Sequence, residues 1–267
     1  MAWNNTQRQA FAAYAEAEKR RKARNTLAAG GGWTPLSLGS NLLGWWTADD
    51  VSTLTLVGSA VSIWRDKRSG LELTQSVSSA RPIYSAASFG GYPGLTFDGI
   101  DDRMFANSIF GFPFGSSAST LWGLLQQDAL AADTTIRLAV AYGGKTANDR
   151  RSINRIVDAG VNRARAAAGT GSGSPGVTGS VVDLSSRHVV RGLIGADASQ
   201  MNVDGSGSGT VSAVPATGTD RFVVGGNTAD SGGNYWNGKF RDVVITTPLP
   251  TNDAATLEAW LLARRAL

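Results

Sequence analysis

Short runs of β-forming residues, each closed by Gly, Ser, Asp or Asn, recur from Leu42 onward, and this rhythm constrains the fold more than any other feature. They occupy residues 44–48, 62–66, 95–97, 104–106, 119–126, 135–141, 152–157, 161–167, 181–184, 187–194, 200–203, 221–224 and 239–246. No sustained helical period interrupts them until the end, so the spacing predicts an all-β, antiparallel two-sheet sandwich. With 33 glycines, 8 tryptophans and no cysteine, the composition suits many turns and aromatic packing, and it excludes disulfides and thiolate metal sites. At 267 residues there is room for one large β domain and a small appendage.

The first 29 residues follow a different rule. Thr6 and Gln9 form a capping-box pattern ahead of a run rich in Ala, Gln, Glu, Lys and Arg. Glu16 with Arg20 and Glu18 with Lys22 are i,i+4 pairs in the favourable order, so the pattern predicts a helix. Its apolar face is thin, chiefly Phe11, Tyr14 and alanines, and it gains little by packing on the body. The helix is therefore expected to dock on a partner. Gly30-Gly31-Gly32 serves as a hinge, which divides the chain into a basic helix and hinge at 1–32 and a sandwich domain at 33–267. The anchor residues are Phe11, Tyr14, Arg20 and Arg21. After Pro248-Leu249-Pro250, Thr251 opens a short closing helix with Leu257, Trp260, Leu261 and Leu262 on one face.

Charge sharpens this division. Residues 1–29 hold six basic and two acidic side chains, and the rest of the chain holds nineteen of each. The excess that raises the isoelectric point belongs to the appendage, so the body presents no nucleic-acid-binding face by charge. No run of about 18 apolar residues marks a membrane span, and the N-terminus lacks a basic-then-apolar signal pattern.

The stretch from Gly94 to Met104 organises the body. Leu95 and Phe97 point toward a core, Asp98-Gly99 makes a tight turn, and a second strand restarts at Arg103. Gly99 supplies the positive φ that such a turn needs, while the carboxylates of Asp98, Asp101 and Asp102 accept hydrogen bonds from neighbouring N–H groups. Leu43-Gly44-Trp45-Trp46-Thr47-Ala48-Asp49-Asp50, Trp64-Arg65-Asp66-Lys67-Arg68-Ser69-Gly70 and Arg81-Pro82 precede it. His188-Val189-Val190, Met201-Asn202-Val203-Asp204-Gly205, Val224-Gly225-Gly226 and Trp236-Asn237-Gly238-Lys239-Phe240-Arg241-Asp242 follow. This order resembles a laminin G-like domain of the concanavalin A-like lectin/glucanase superfamily, in the form found in phage virion structural proteins, over about residues 40–267.

The resemblance implies a concanavalin A-like jelly roll and a non-enzymatic virion structural protein: a head fibre, decoration or tail appendage. Its expected partners are other virion proteins, reached through the N-terminal helix, and further copies of the chain. Its expected location is the virion. The alternative reading is a carbohydrate-binding module on a host surface polysaccharide, and a glycan hydrolase ranks behind both.

The residues themselves narrow the chemistry. The four glutamates are Glu16, Glu18, Glu72 and Glu258, and no strand carries the Glu pair of a retaining β-glucanase. His188 is the single histidine, so a multi-histidine metal site is excluded and a Ser-His-Asp triad can arise only through it. At the start of a strand run it reads as a packed or edge histidine. Asp98, Asp101 and Asp102 are the candidate ligands for a calcium ion, set against a turn whose aspartates pair with Arg103 or Lys239; the second is preferred, and no cofactor is expected. Arg150, Arg151, Arg155, Arg163 and Arg165 surround a predicted hairpin turn at residues 158–160. If the strands pair, several guanidinium groups reach one face suited to phosphate or carboxylate, with a solvated edge or subunit contact as the bland alternative. The carbohydrate- or anion-binding candidates are thus Arg155, Arg163, Arg165, Trp46 and Tyr235. Because Trp45 and Trp46 alternate sides of one strand, one ring is expected in the core and the other outward or under the N-terminal connector.

Overall fold

The computed structural model describes residues 32–266, apart from 108, 110, 114–116, 129–135, 146–149, 159–160, 170–175, 179–183, 196–198, 208–219 and 230–232. The first strands are β1 (Leu42–Thr47), β2 (Leu54–Val57), β3 (Ala60–Arg65), β4 (Glu72–Thr74), β5 (Ile83–Phe89), β6 (Tyr92–Asp98) and β7 (Met104–Asn107). They are followed by β8 (Ser119–Gln127), β9 (Arg137–Gly143), β10 (Arg150–Asp158), β11 (Val161–Gly169) and β12 (Gly176–Thr178). The last are β13 (His188–Ile194), β14 (Gln200–Val203), β15 (Ser206–Gly207), β16 (Arg221–Val224) and β17 (Asn237–Thr246), after which the chain closes on α1 (Thr251–Ala266).

The strand β17 is the hub. Its first half pairs with β6, its second half with β1, and its other edge runs along β8. A register shift between Phe240 and Asp242 inserts Arg241 as an extra residue, and such a bulge bends the strand and re-aims the side chain it carries. From β8 the sheet continues through β13, β14 and β15. From β6 it continues through β5 to β3, where Ala60 pairs with Ile83, then through β4, β7, β16, β9, β10, β11 and β12.

All seventeen described strands therefore belong to one antiparallel hydrogen-bonded sheet, and this corrects the expected two-sheet jelly-roll sandwich. The physical reason is β3, which pairs with β2, β4 and β5 and stitches the two arms at a corner. A strand's residue pattern states which side chains point inward and says nothing about which strand turns a corner.

The arms face each other. A Cβ added at Gly192 of β13 would lie 3.0 Å from Ala166 of β11 and 3.3 Å from Ile153 of β10, so the backbones approach closely there. Between the arms lies the main core, with Trp46, Trp64, Phe97, Leu125, Val190, Phe222, Trp236 and Phe240 fully buried. A second core, including Trp45, Phe89, Trp122, Val244, Leu257, Trp260 and Leu261, fills the space under α1. Trp46 packs on Phe222 at 4.8 Å between centroids, and Trp45, on the opposite side of β1, meets Trp260 edge-on at 5.6 Å. The period of two along β1 thus feeds both cores. The helix carries Asp253 in its first turn and Arg264 and Arg265 in its last, which matches the sign of its dipole at each end.

Candidate functional site

The site is built from the turn between β6 and β7. Asp98 ends β6 opposite Asn237, the first residue of β17. Gly99 has φ 77°, and a Cβ there would come 2.6 Å from the Asn237 Cβ, so only glycine fits both the turn and its neighbour. The Asp98 Oδ1 accepts hydrogen bonds from the backbone N–H groups of Ile100 (2.8 Å), Asp101 (3.3 Å) and Asp102 (3.4 Å). In return the Asp98 N–H donates to Asp102 Oδ2 at 3.0 Å. Arg137 Nη1 donates to the Gly99 carbonyl at 2.8 Å and to the Tyr235 carbonyl at 3.0 Å, tying the loop to the next segment. Ser79 donates to Asp101 Oδ2 at 3.4 Å.

This wiring gathers negative charge. One carboxylate oxygen from each of Asp98, Asp101 and Asp102 lies within 4.8 Å of the others. Asp98 is exposed, Asp101 half-buried, and Asp102 only 4 % exposed. Burial pushes the Asp102 carboxyl up to about 6, and the charges of Asp98 and Asp101 push the same way against the Asp98 hydrogen bond. The basic side chains expected to neutralise the turn do not do so. Arg103 Nη1 donates to the carbonyls of Asn227 (3.4 Å) and Ala229 (3.2 Å), and Lys239 pairs with Asp128 at 2.7 Å. A cluster this tight and this short of cations can do two things: hold a proton near neutral pH, or coordinate a divalent cation such as Ca²⁺.

The arginine hairpin forms, with Asp158 paired to Val161, but the register divides its charges. Arg163 and Arg165 lie opposite Ile156 and Asn154 and share a face with Arg150. Arg155 lies opposite Ala164 on the other face, where it is buried with Arg151 and Ile153. Arg165 Nε donates to Asn154 Oδ1 at 3.0 Å and Arg150 Nη1 to Asn227 Oδ1 at 3.1 Å. Burial pushes both of these guanidinium groups down, Arg150 further through the charge of Arg165. Trp46 is fully buried in the main core, and Tyr235 is half-buried beside Gly226. The anchor candidates Phe11, Tyr14, Arg20 and Arg21 lie outside the described residues. A groove of about 450 Å³ lined by Ser40, Leu43, Arg68, Ser69, Leu71, Gly111 and Phe112 holds no carboxylate, so it does not share the chemistry of the aspartate loop.

Sequence reasoning missed the partners of His188. Its ring bonds Ser186 and Asp204, and Asp204 owes its place to the Asp204-Gly205 turn, whose φ angles of 52° and 82° close a hairpin between β14 and β15. That Asp-Gly pair was the available signal.

No family model matches the sequence, and no curated protein matches it. Solved structures share the fold. An arabinofuranosidase complexed with arabinofuranosyl-α-1,2-xylobiose matches 85% of this chain and 59% of its own at 15% identity and a TM-score of 0.54. A Trypanosoma rangeli sialidase in complex with sialic acid matches 82% of this chain and 33% of its own at 16% identity and a TM-score of 0.53. Domain 4 of the GH43 extracellular arabinanase AbnA of Geobacillus stearothermophilus, in complex with arabinotriose, matches 82% of this chain and 98% of that domain at 14% identity and a TM-score of 0.54. The chain therefore spans 59% and 33% of the length of the first two and nearly all of the third.

The fold is thus the one shared with these solved structures, which corrects the laminin G-like, concanavalin A-like resemblance. The motifs behind that resemblance are strand ends and Gly-containing turns, and any sheet of short antiparallel strands requires them. The readings that rested on it fall with it: the non-enzymatic virion structural protein, the lectin-like module on host polysaccharide, the docking of the N-terminal helix on other virion proteins, and the virion location. The expectation of no enzyme rested on the missing Glu pair and on reading Asp98, Asp101 and Asp102 as structural turn residues, and the gathering of their carboxylates within 4.8 Å removes the second ground.

Proposed function

We propose that the chain is a carbohydrate-active domain of glycoside-hydrolase type whose acidic centre is the Asp98–Asp102 loop. The observation that carries this reading is the pairing of a buried carboxyl that keeps its proton to about pH 6 with ionisable carboxylates within 4.8 Å on the same loop. Glycoside cleavage needs one group to protonate the leaving oxygen and another to meet positive charge at the anomeric carbon. Asp102 is the proton donor. Asp101, whose only side-chain hydrogen bond among the described residues is the long one from Ser79, is the charged partner, and Asp98 holds the loop. The spacing suits the carboxyl separation of about 5 Å in retaining enzymes better than the roughly 6.5–9.5 Å of inverting ones. The fold shared with arabinofuranosidase and arabinanase structures supports furanosidic arabinose as the first substrate class to try.

The test is turnover of 4-nitrophenyl α-L-arabinofuranoside and of arabinotriose by the full chain, by Asp101→Asn and by Asp102→Asn. The reading expects activity that falls as pH rises through about 6, and losses of about 10²–10⁴-fold in either variant. No turnover by the unaltered chain, or equal turnover in both variants, would sink it.

The same three carboxylates favour a second reading, a Ca²⁺ ion held by the loop for stability. A bound dication would drive the proton from Asp102, so the two readings compete for one carboxyl. Under the second, millimolar Ca²⁺ raises the unfolding temperature and a chelator reverses the rise; under the first, neither changes it.

A further inference from the structure

Three side chains far from the aspartate loop in sequence stand in a line. Ser186 Oγ lies 2.8 Å from His188 Nε2, and His188 Nδ1 lies 2.7 Å from Asp204 Oδ2. The serine is exposed, the histidine is 8 % exposed, and the aspartate is half-buried. Each ring nitrogen therefore has a different partner: a hydroxyl on the solvent side and a carboxylate on the protein side. With Nδ1–H donating to Asp204, the lone pair of Nε2 is left facing the hydroxyl, which is the tautomer a general base requires.

The backbone fixes the orienting residue from two sides. The Asp204 N–H donates to the Val189 carbonyl at 2.9 Å, and the Val189 N–H donates to Asp204 Oδ1 at 2.9 Å. Arg265 on α1 also contacts Asp204 Oδ2. Burial alone would raise the Asp204 carboxyl, yet the His188 and Val189 hydrogen bonds and the nearby charge of Arg265 hold it below the usual range. Glu258 of α1 is the other acidic neighbour, facing Asp204 and paired with Arg191 at 3.9 Å.

From these positions we propose that Ser186, His188 and Asp204 form an acyl-transfer centre that hydrolyses small carboxylic esters. Ser186 Oγ attacks the ester carbonyl carbon while its proton passes to His188 Nε2. The tetrahedral adduct collapses with cleavage of the C–O bond to the alcohol, which leaves with the proton from His188. Water then attacks the acyl-serine and gives a proton to Nε2, and as the C–O bond to serine breaks Nε2 returns that proton to Ser186 Oγ and the acid leaves. Ser186 and His188 are the catalytic residues, and Asp204 is a positioning residue. The centre is distinct from the aspartate loop. Register places it three strands away, since His188 pairs with Leu125, Gln127 with Gly238, and Asn237 with Asp98. At about 4.8 Å per strand this is on the order of 15 Å across the sheet.

The full chain is treated with a fluorophosphonate probe and the labelled peptide is read by mass spectrometry, in parallel with 4-nitrophenyl acetate hydrolysis by the unaltered chain, Ser186→Ala, His188→Ala and Asp204→Asn. The expected result is a label on Ser186, an initial burst of 4-nitrophenol, and turnover reduced about 10²–10⁴-fold in Ser186→Ala and His188→Ala. Asp204→Asn should lower kcat with KM unchanged, which a merely structural role would not produce. Because Ser186 is exposed, its alanine variant should unfold at the same temperature as the parent, separating chemistry from folding. An unlabelled Ser186, or equal ester turnover in Ser186→Ala, overturns the proposal, whatever the glycoside assays show.

Discussion

Two groups of carboxylates lie along β17, one beside its first residue and one at its middle, and they solve the problem of buried negative charge in opposite ways. At the middle of β17, Asp49 and Asp242 meet Arg241 and Arg264. Arg241 Nε and Nη2 reach the two Asp49 oxygens at 3.0 Å each, Arg264 Nε reaches Asp242 at 2.9 Å, and Arg264 Nη2 reaches Asp49 at 2.7 Å. The charges balance, and the network ties α1 to the sheet. Beside its first residue, Asp98, Asp101 and Asp102 face one another with no ion pair among the described residues. The first group is wired for stability. The second can keep a proton or hold a cation, and it is where the proposed chemistry is placed.

The comparison fixes opposite signs with pH. Burial tends to raise the Asp49 carboxyl, but Arg241 and Arg264 outweigh it and hold the group below 3.8. Its contribution is present above that value and is lost as pH falls through the folded pKa. Asp102 is raised from 3.8 to about 6, so the folded state takes up its proton first. Stability from this group therefore grows as pH falls from about 6 toward 4, and at neutral pH its charge is a cost.

The largest expected effect lies in the balanced group. Asp242 is fully buried, and Asp242→Ala leaves Arg264 short of a partner under α1, so urea unfolding should show a loss of about 3–5 kcal/mol. A loss below about 1 kcal/mol would mean that the helix docks without the network. Next, Asp102→Asn keeps an acceptor for the Asp98 N–H and removes the strained charge. It should stabilise the chain by roughly 1–3 kcal/mol at pH 8 and by nearly nothing at pH 4, since each pKa unit is worth about 1.4 kcal/mol. Destabilisation at both values would make the loop a second balanced structure and erase the contrast. Smaller still, Asp98→Ala strips three N–H groups of their acceptor on an exposed turn and should cost about 1–2 kcal/mol at either pH. A pH-dependent loss there would move the critical proton from Asp102 to Asp98.

The positions of most strands and of the aspartate turn were legible because each rests on local chemistry, whereas the short or exposed β2, β4, β5, β12 and β15 were not read. Leu95 and Phe97 alternate, Gly99 permits the turn, and Asp98 caps it. The corner at β3 was not legible, because Ala60 meeting Ile83 is a property of pairing across the sheet. Which arginines share a face was not legible for a related reason. Arg155 and Arg165 are neighbours in the hairpin, yet a register with Arg155 opposite Ala164 sends them to opposite faces. Asp102 was visible as a turn residue, while its proton was not. That proton depends on burial and on Lys239 turning away to Asp128, and no stretch of sequence states either.

One carboxyl, Asp102, is short of positive charge, and an NMR titration of its side-chain carbon, with chelator present and Asp102→Asn for assignment, reads this directly. The midpoint should lie near 6, about two units above an ordinary aspartate. A midpoint at or below 4 would show that the loop neutralises Asp102 as fully as Arg264 neutralises Asp242, and the proton donor proposed for glycoside cleavage would be gone.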